Sequence, residues 1–301
     1  MKKLIALVLS LLAVASLVAG CSSGKGTTVN SGEKSVTFSL LSSPASLDPA
    51  TTTDGHSLMV ETQLFSMLVE SKGGTSSEIK PDIAESWEIS EDGLTYTFKL
   101  RDDVYFHNGK LLTADDVVYT FNRVMTEPYT SYYAAPIKSV EATDEHTFVA
   151  HLNYPFADFL TLIGGIYFGI CCEEAITAGS DFMYKPVGTG PYKLEGGYIP
   201  GQAFKFVYND QYYGAEPDIK EINFKIQPDT NTAVISLQNG EVDFIPALTV
   251  NDIGTIENDE NLALYQAPSY TIHYVCFNKN NAPWNIKEVR QAINYAINKQ
   301  D

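Results

Sequence analysis

The side chains able to do covalent chemistry are present but not in working arrangements. The five histidines, His56, His107, His146, His151 and His273, stand at spacings that fit neither a pair of metal ligands nor a base beside a nucleophile. The chain contains no Gly-x-Ser-x-Gly elbow, no His-Glu-x-x-His pair and no Gly-x4-Gly-Lys phosphate loop. Asp115-Asp116 could suggest the paired carboxylates of glycoside chemistry. At the start of a helical pattern opened by Thr113, however, acids complement the helix dipole and read as a cap. His146, beside Asp144-Glu145, falls in a solvated turn ahead of a strand. Besides Cys21, the thiols are Cys171, Cys172 and Cys276, with no Cys-x-x-Cys pair or Cys/His cluster, so a structural zinc site is not expected. All three read as buried small apolar residues. These residue types predict binding rather than turnover: no enzyme, no cofactor, no metal.

Charge narrows the partners. There are 37 acidic and 20 basic side chains, a net of −17. Such a surface repels phosphate backbones and anionic membranes, which excludes nucleic acid as a natural partner. Tyrosine is abundant, with 18 copies, most of which read as plain packing or surface.

The elements must position these groups, and the first of them lie beyond a leader. Lys2 and Lys3 precede an apolar run over 4–18, shorter than the roughly 20 residues a spanning helix needs, and Ala19-Gly20 then reach Cys21. Leu17-Val18-Ala19-Gly20-Cys21 resembles a bacterial lipobox, which implies signal-peptide removal after residue 20 and lipidation of Cys21. Residues 22–33 are Gly/Ser/Thr-rich and read as a flexible tether, so the lipid-anchored leader region spans 21–33. The length beyond it predicts about two domains.

Val36, Thr37, Phe38, Ser39 and Leu40 alternate as a strand, and a polar connector over 42–55 follows. A helical pattern then carries Leu58, Leu64, Phe65 and Leu68. Thr95-Tyr96-Thr97-Phe98-Lys99-Leu100 is a strand bounded by the turn signals Asp92-Gly93 and Asn108-Gly109. Thr113 and Asp116 open a helix with Val117, Phe121 and Val124 on its inner face. Phe148, Ala150 and Leu152 mark another strand. Strands follow at 204–207 and 222–226, a helix at 230–239 closed by Gly240, and a short strand at 242–245. Residues 284–301 read as an amphipathic helix through Val289, Ala292, Ile293, Ala296 and Ile297, and the chain reads as cut short there, with Ile293 and Ile297 exposed.

Several stretches, in register, resemble the extracytoplasmic solute-binding proteins of the peptide/nickel ABC importer family. The longest is PDIAESWEISEDGLTYTFKLRDDVYFHNGKLLTADDVVYTFNR over 81–123, with Ala84-Glu85-Ser86-Trp87, Leu100-Arg101, Thr113-Ala114-Asp115-Asp116-Val117 and Arg123 at its key positions. The others are Val187-Gly188-Thr189-Gly190-Pro191-Tyr192, the run Leu237-Gln238-Asn239-Gly240-Glu241-Val242-Asp243, and Phe277-Asn278 with Val289-Arg290-Gln291-Ala292. Ala282-Pro283-Trp284 and Asn298 depart from the family's usual Pro-Pro-Phe-like entry and Ala-Ile-Asp. These motifs read as scaffold, with Trp87 as a buried anchor and Arg101 satisfying buried acceptors.

The resemblance implies an α/β fold of the class II periplasmic-binding-protein type, with a truncated C-terminal lobe. It implies a split α/β first domain over 34–50 and 185–267, an inserted, mainly antiparallel second domain over 51–184, and the start of a third from 268. It implies a lipoprotein that captures di- or oligopeptides outside the membrane and delivers them to the transmembrane subunits of a permease. The alternatives are nickel, haem or oligosaccharide as ligand, or sensing without transport. Relatives place Thr53, Asp54, Gly55 and His56 against the ligand, where backbone groups pair with a peptide as an added strand; Asp54 could equally cap a helix. Tyr132, in the loop Tyr129-Thr130-Ser131-Tyr132-Tyr133, and Tyr270, His273 and Tyr274 complete the candidates.

Overall fold

The computed structural model describes residues 34–71, 78–179, 181–267 and 274–298. The leader, Cys21 and the tether lie outside these, as do Tyr270 and His273.

The chain opens with β1 (Lys34–Leu40), then the connector and the short helix α1 (Gly55–Glu61). A ribbon of β2 (Val69–Ser71) and β3 (Ile79–Pro81) leads into β4 (Ala84–Ile89) and β5 (Thr95–Leu100). Helix α2 (Ala114–Thr126) follows, then the hairpin β6 (Ile137–Asp144) and β7 (Thr147–Leu152). Short helices α3 (Phe159–Ile163) and α4 (Glu173–Thr177) return the chain to β8 (Tyr192–Leu194), β9 (Phe204–Tyr208) and β10 (Ile219–Ile226). Three helices come last: α5 (Thr230–Gln238), α6 (Val250–Glu257) and α7 (Lys287–Ala296).

Two four-stranded sheets result. One has the order β4-β5-β7-β6 and is antiparallel throughout. Its alternating strand β5 buries Tyr96, Phe98 and Leu100, and α2 lays Val117, Phe121 and Val124 against the same face. Phe121 and Phe148 meet at 4.7 Å between ring centroids. The other sheet has the order β1-β10-β9-β8, and in it β1 runs parallel to β10, Val36 opposite Ile222 and Phe38 opposite Phe224. Phe204, Phe206 and Phe224 form its aromatic core, against which Leu40, Val60, Leu64 and Phe65 pack.

The N-terminus of α2 carries the expected capping box, Thr113 with Asp116. Gly93 and Gly109 take positive φ of 68° and 84°, and Gly240 closes α5 at φ 71°. Elsewhere tertiary packing overrides the pattern. Helix α1 ends at Glu61, and Leu64, Phe65 and Leu68 are buried from irregular chain beyond it. Residues 242–245 form no strand; Phe244 makes a single parallel bridge to Phe38. Trp87 is only half-buried, because it lies on edge strand β4. Arg101 pairs with exposed Asp103 at 2.7 Å and lies over the Tyr213 ring rather than feeding buried acceptors. Cys171 and Cys172 are buried as expected, but Cys276 is exposed, because its segment packs on neither core. Helix α7 buries none of its side chains, and Ile297 is 48% exposed. Among the described residues no helix is long and apolar enough to cross a membrane.

Candidate functional site

The connector between β1 and α1 is held by its own hydroxyls. The Ser57 hydroxyl accepts from the amides of Ala45 (2.9 Å) and Ser46 (3.3 Å) and donates to the Asp54 carboxylate. Asp54 caps α1, accepting the Ser57 amide at 3.0 Å and the Thr52 hydroxyl at 2.7 Å. Burial works against the Asp54 anion, yet these donors outweigh it and keep the carboxyl below the usual range. The cap and the surface reading therefore coexist: Asp54 faces inward to its donors, while Thr53 and Gly55 are exposed on either side and His56 is half-exposed. The Thr53 amide meets no acceptor among the described residues.

Two contacts pin helix α2 and the tyrosine loop to this connector. Arg123, in the last turn of α2, grips Asp48 through Nη2–Oδ2 at 2.7 Å and Nη1–Oδ1 at 3.1 Å. Burial disfavours the guanidinium, but the bond to Asp48 more than compensates and strengthens its hold on the proton. The Thr130 hydroxyl donates to the Ala50 carbonyl at 3.1 Å in a buried position. The loop that follows turns Tyr129 and Tyr132 outward, 61% and 60% exposed. The structure thus pins the loop of Tyr132 to the connector at Ala50, just ahead of Thr53, Asp54, Gly55 and His56. Tyr274 is separate: it is 78% exposed and borders a cavity of about 620 Å³ with Val275, Phe277, Arg290 and Ile293. A second cavity of about 390 Å³, lined by Leu237, Phe244, Ile245, Leu248 and Leu264 among others, lies beside α6 and away from the connector.

Behind the connector sits a group with no counterpart in the sequence-level reading. Glu61 is fully buried, and neither of its carboxyl oxygens has a hydrogen-bond partner. Burial, reinforced by the negative charges of Asp48 and Asp54, pushes its pKa up to about 9, so it is a neutral acid at pH 7. Asp48 and Glu61 gave no signal of their own; Arg123 stood out only as a scaffold motif.

A second joint lies at the loop Val187-Gly188-Thr189-Gly190-Pro191-Tyr192. A Cβ on Gly188 would lie 2.1 Å from the Leu64 carbonyl oxygen, and one on Gly190 would lie 2.5 Å from the Leu64 carbonyl carbon, so both glycines are demanded by close backbone approach. His107 braces this loop, its Nδ1 accepting the Gly188 amide at 3.3 Å and its Nε2–H donating to the Gly190 carbonyl at 3.2 Å. Burial lowers the His107 pKa to about 4. Nearby, Tyr213 donates to Asp82, tying the chain after β9 to the start of the antiparallel lobe. Among the described residues no group of three or more His, Cys, Asp or Glu could hold a metal ion.

Comparison with known proteins adds the following. Residues 78–301 match the model of the bacterial extracellular solute-binding proteins, family 5 (middle region). The chain is 34% identical to haem-binding protein A of Haemophilus influenzae over 284 residues, covering 85% of this chain and 52% of that protein. It is 32% identical to the dipeptide-binding protein of Escherichia coli over 293 residues, covering 88% and 54% respectively. Among solved structures, the periplasmic binding protein DppA of Helicobacter pylori, in complex with the peptide STSA, superposes with a TM-score of 0.77 at 28% identity, covering 89% of this chain and 57% of that one. The chain spans about half the length of the curated relatives it matches.

Proposed function

Because the chain belongs to the bacterial extracellular solute-binding proteins of family 5, we propose that it is part of an extracytoplasmic receptor that captures peptides and delivers them to an ABC permease. The observation that carries this reading is the exposed connector edge at Thr53, Gly55 and His56, held rigid by Ser57 and Asp54, with the loop of Tyr132 pinned beside it. A fixed backbone edge recognises the part common to all peptides, and an aromatic wall tolerates varied side chains. Relatives named for dipeptides, and one solved with a bound peptide, support this ligand class. Tyr270, His273 and Tyr274 belong to the same proposal as residues from a further wall. So do the division into a split first domain, an inserted second domain and a third domain from 268, and the anchoring of the protein by lipid on Cys21.

The test is thermal melting of the mature full-length protein with di- to nonapeptides, hemin, nickel–histidine and oligosaccharides. A saturating peptide should raise the melting temperature by mass action, by about 2.7 kcal/mol of added stability at a hundredfold excess over Kd. No shift with any peptide, against a shift with hemin, would replace the peptide reading with haem, which the relative from Haemophilus influenzae favours as the second reading. Transport is tested separately, by peptide uptake in cells lacking the gene.

A further inference from the structure

Tyr132, Tyr133 and Tyr167 form a three-ring stack beside the connector. Ring centroids lie 4.0 Å apart between Tyr132 and Tyr133 and 4.1 Å apart between Tyr133 and Tyr167, the second pair inclined by only 21°. The inner two rings are anchored, since both pack against the core of the antiparallel lobe. Tyr132 is the outermost ring, 60% exposed, so one of its faces rests on Tyr133 and the other is open. The face of an aromatic ring carries negative potential. The Tyr132 phenol oxygen adds acceptor lone pairs at the rim of that open face.

Charge around the stack points the same way. Thr130 fastens the loop to a connector bearing Asp48 and Asp54, and Glu127 opens the loop. Against these three carboxylates stands Arg123, already forked onto Asp48 and 4.0 Å from Glu127. The surface therefore favours a cation and resists an anion.

We propose that the open face of Tyr132 is a side-chain subsite for a cationic residue of the bound peptide, with arginine preferred over lysine. The proposal rests on the peptide reading above. A guanidinium is planar and weakly hydrated, so it stacks on the ring while an N–H group reaches the phenol oxygen, in the field of the nearby acids. An ammonium supplies the charge without the stacking plane.

The experiment is isothermal titration of the mature full-length protein with trialanine and with tripeptides in which arginine replaces each alanine in turn. Each arginine peptide is matched by a citrulline twin, which keeps the planar shape and removes the charge. At one position arginine should bind about tenfold tighter than citrulline, with lysine between. Tyr132→Leu should collapse that ratio towards one, and Tyr132→Phe should keep most of it; if the leucine variant does not fold, Tyr132→Gln takes its place. If trialanine binds but arginine and citrulline peptides bind equally, the subsite is overturned and the peptide reading stands. A preference that survives Tyr132→Leu also overturns it, by assigning the effect to net charge. If no peptide binds the wild-type protein, the peptide reading fails and the subsite with it.

Discussion

The Arg123 guanidinium spans both oxygens of the Asp48 carboxylate, and this fork joins the connector to α2 with side chains only 14% and 6% exposed. Removing one partner strands a buried charge next to the already unpartnered Glu61. Arg123→Met should therefore cost about 3–5 kcal/mol of stability, and Arg123→Lys a substantial part of that, because an ammonium cannot fork. The double variant Asp48→Asn, Arg123→Met should recover much of the loss. Urea unfolding of the wild type, Asp48→Asn, Arg123→Met and the double variant tests this; additive losses would deny the coupling.

Glu61 predicts a pH-dependent stability. Its pKa of about 9 lies above the usual carboxyl value, so the folded protein binds the extra proton. The stabilising contribution of the neutral acid is complete below the unfolded value and is lost as pH rises through the folded one. Between about pH 4.5 and 9 it should fall with a slope approaching 1.4 kcal/mol per unit. Glu61→Gln should gain on the wild type steadily across that window. Parallel stability curves for the two proteins would rule this out.

His107 titrates in the opposite sense. Its pKa is depressed to about 4, so its contribution is present above the unfolded value near 6.5 and is lost as pH falls from there towards 4. The imidazole should remain neutral at pH 5.5 in a proton–nitrogen NMR titration, with the proton on Nε2. A midpoint near 6.5 would show that the ring is not buried against the Gly188–Gly190 loop.

The glycines of that loop should divide sharply from Gly55. Gly188→Ala and Gly190→Ala drive a methyl into the Leu64 backbone and should cost at least about 1–3 kcal/mol, since backbone cannot turn aside as a side chain can. Gly55→Ala meets nothing within 4 Å and should leave melting unchanged or slightly raised. Thermal melts of the three variants make the comparison.

What the sequence revealed followed from local signals. The alternation in β5, the Thr113–Asp116 capping box and the turns at Gly93 and Gly109 are each set by a few neighbouring residues. What it concealed depends on distant chain. Glu61 reads as an ordinary polar residue of an amphipathic helix and becomes a buried neutral acid only because the fold encloses it near Asp48, Asp54 and Cys171. Trp87 looked like a core anchor and is half-buried because, among the described residues, no strand pairs with the outer edge of β4. The exposed edge of the candidate site was placed by family resemblance, but its rigidity comes from the hydroxyls of Thr52 and Ser57, which look unremarkable in a polar stretch.

The parallel pairing of β1 with β10 also orders events in time. Residues 34–40 are made first, yet their partners, residues 219–226, are joined to them only after the whole intervening lobe has been made. The antiparallel sheet, by contrast, pairs only strands within 84–152, so its ladder closes over short loops. Until residues 219–226 exist, β1 therefore waits as an unpaired, β-prone edge open to pairing with a neighbouring chain.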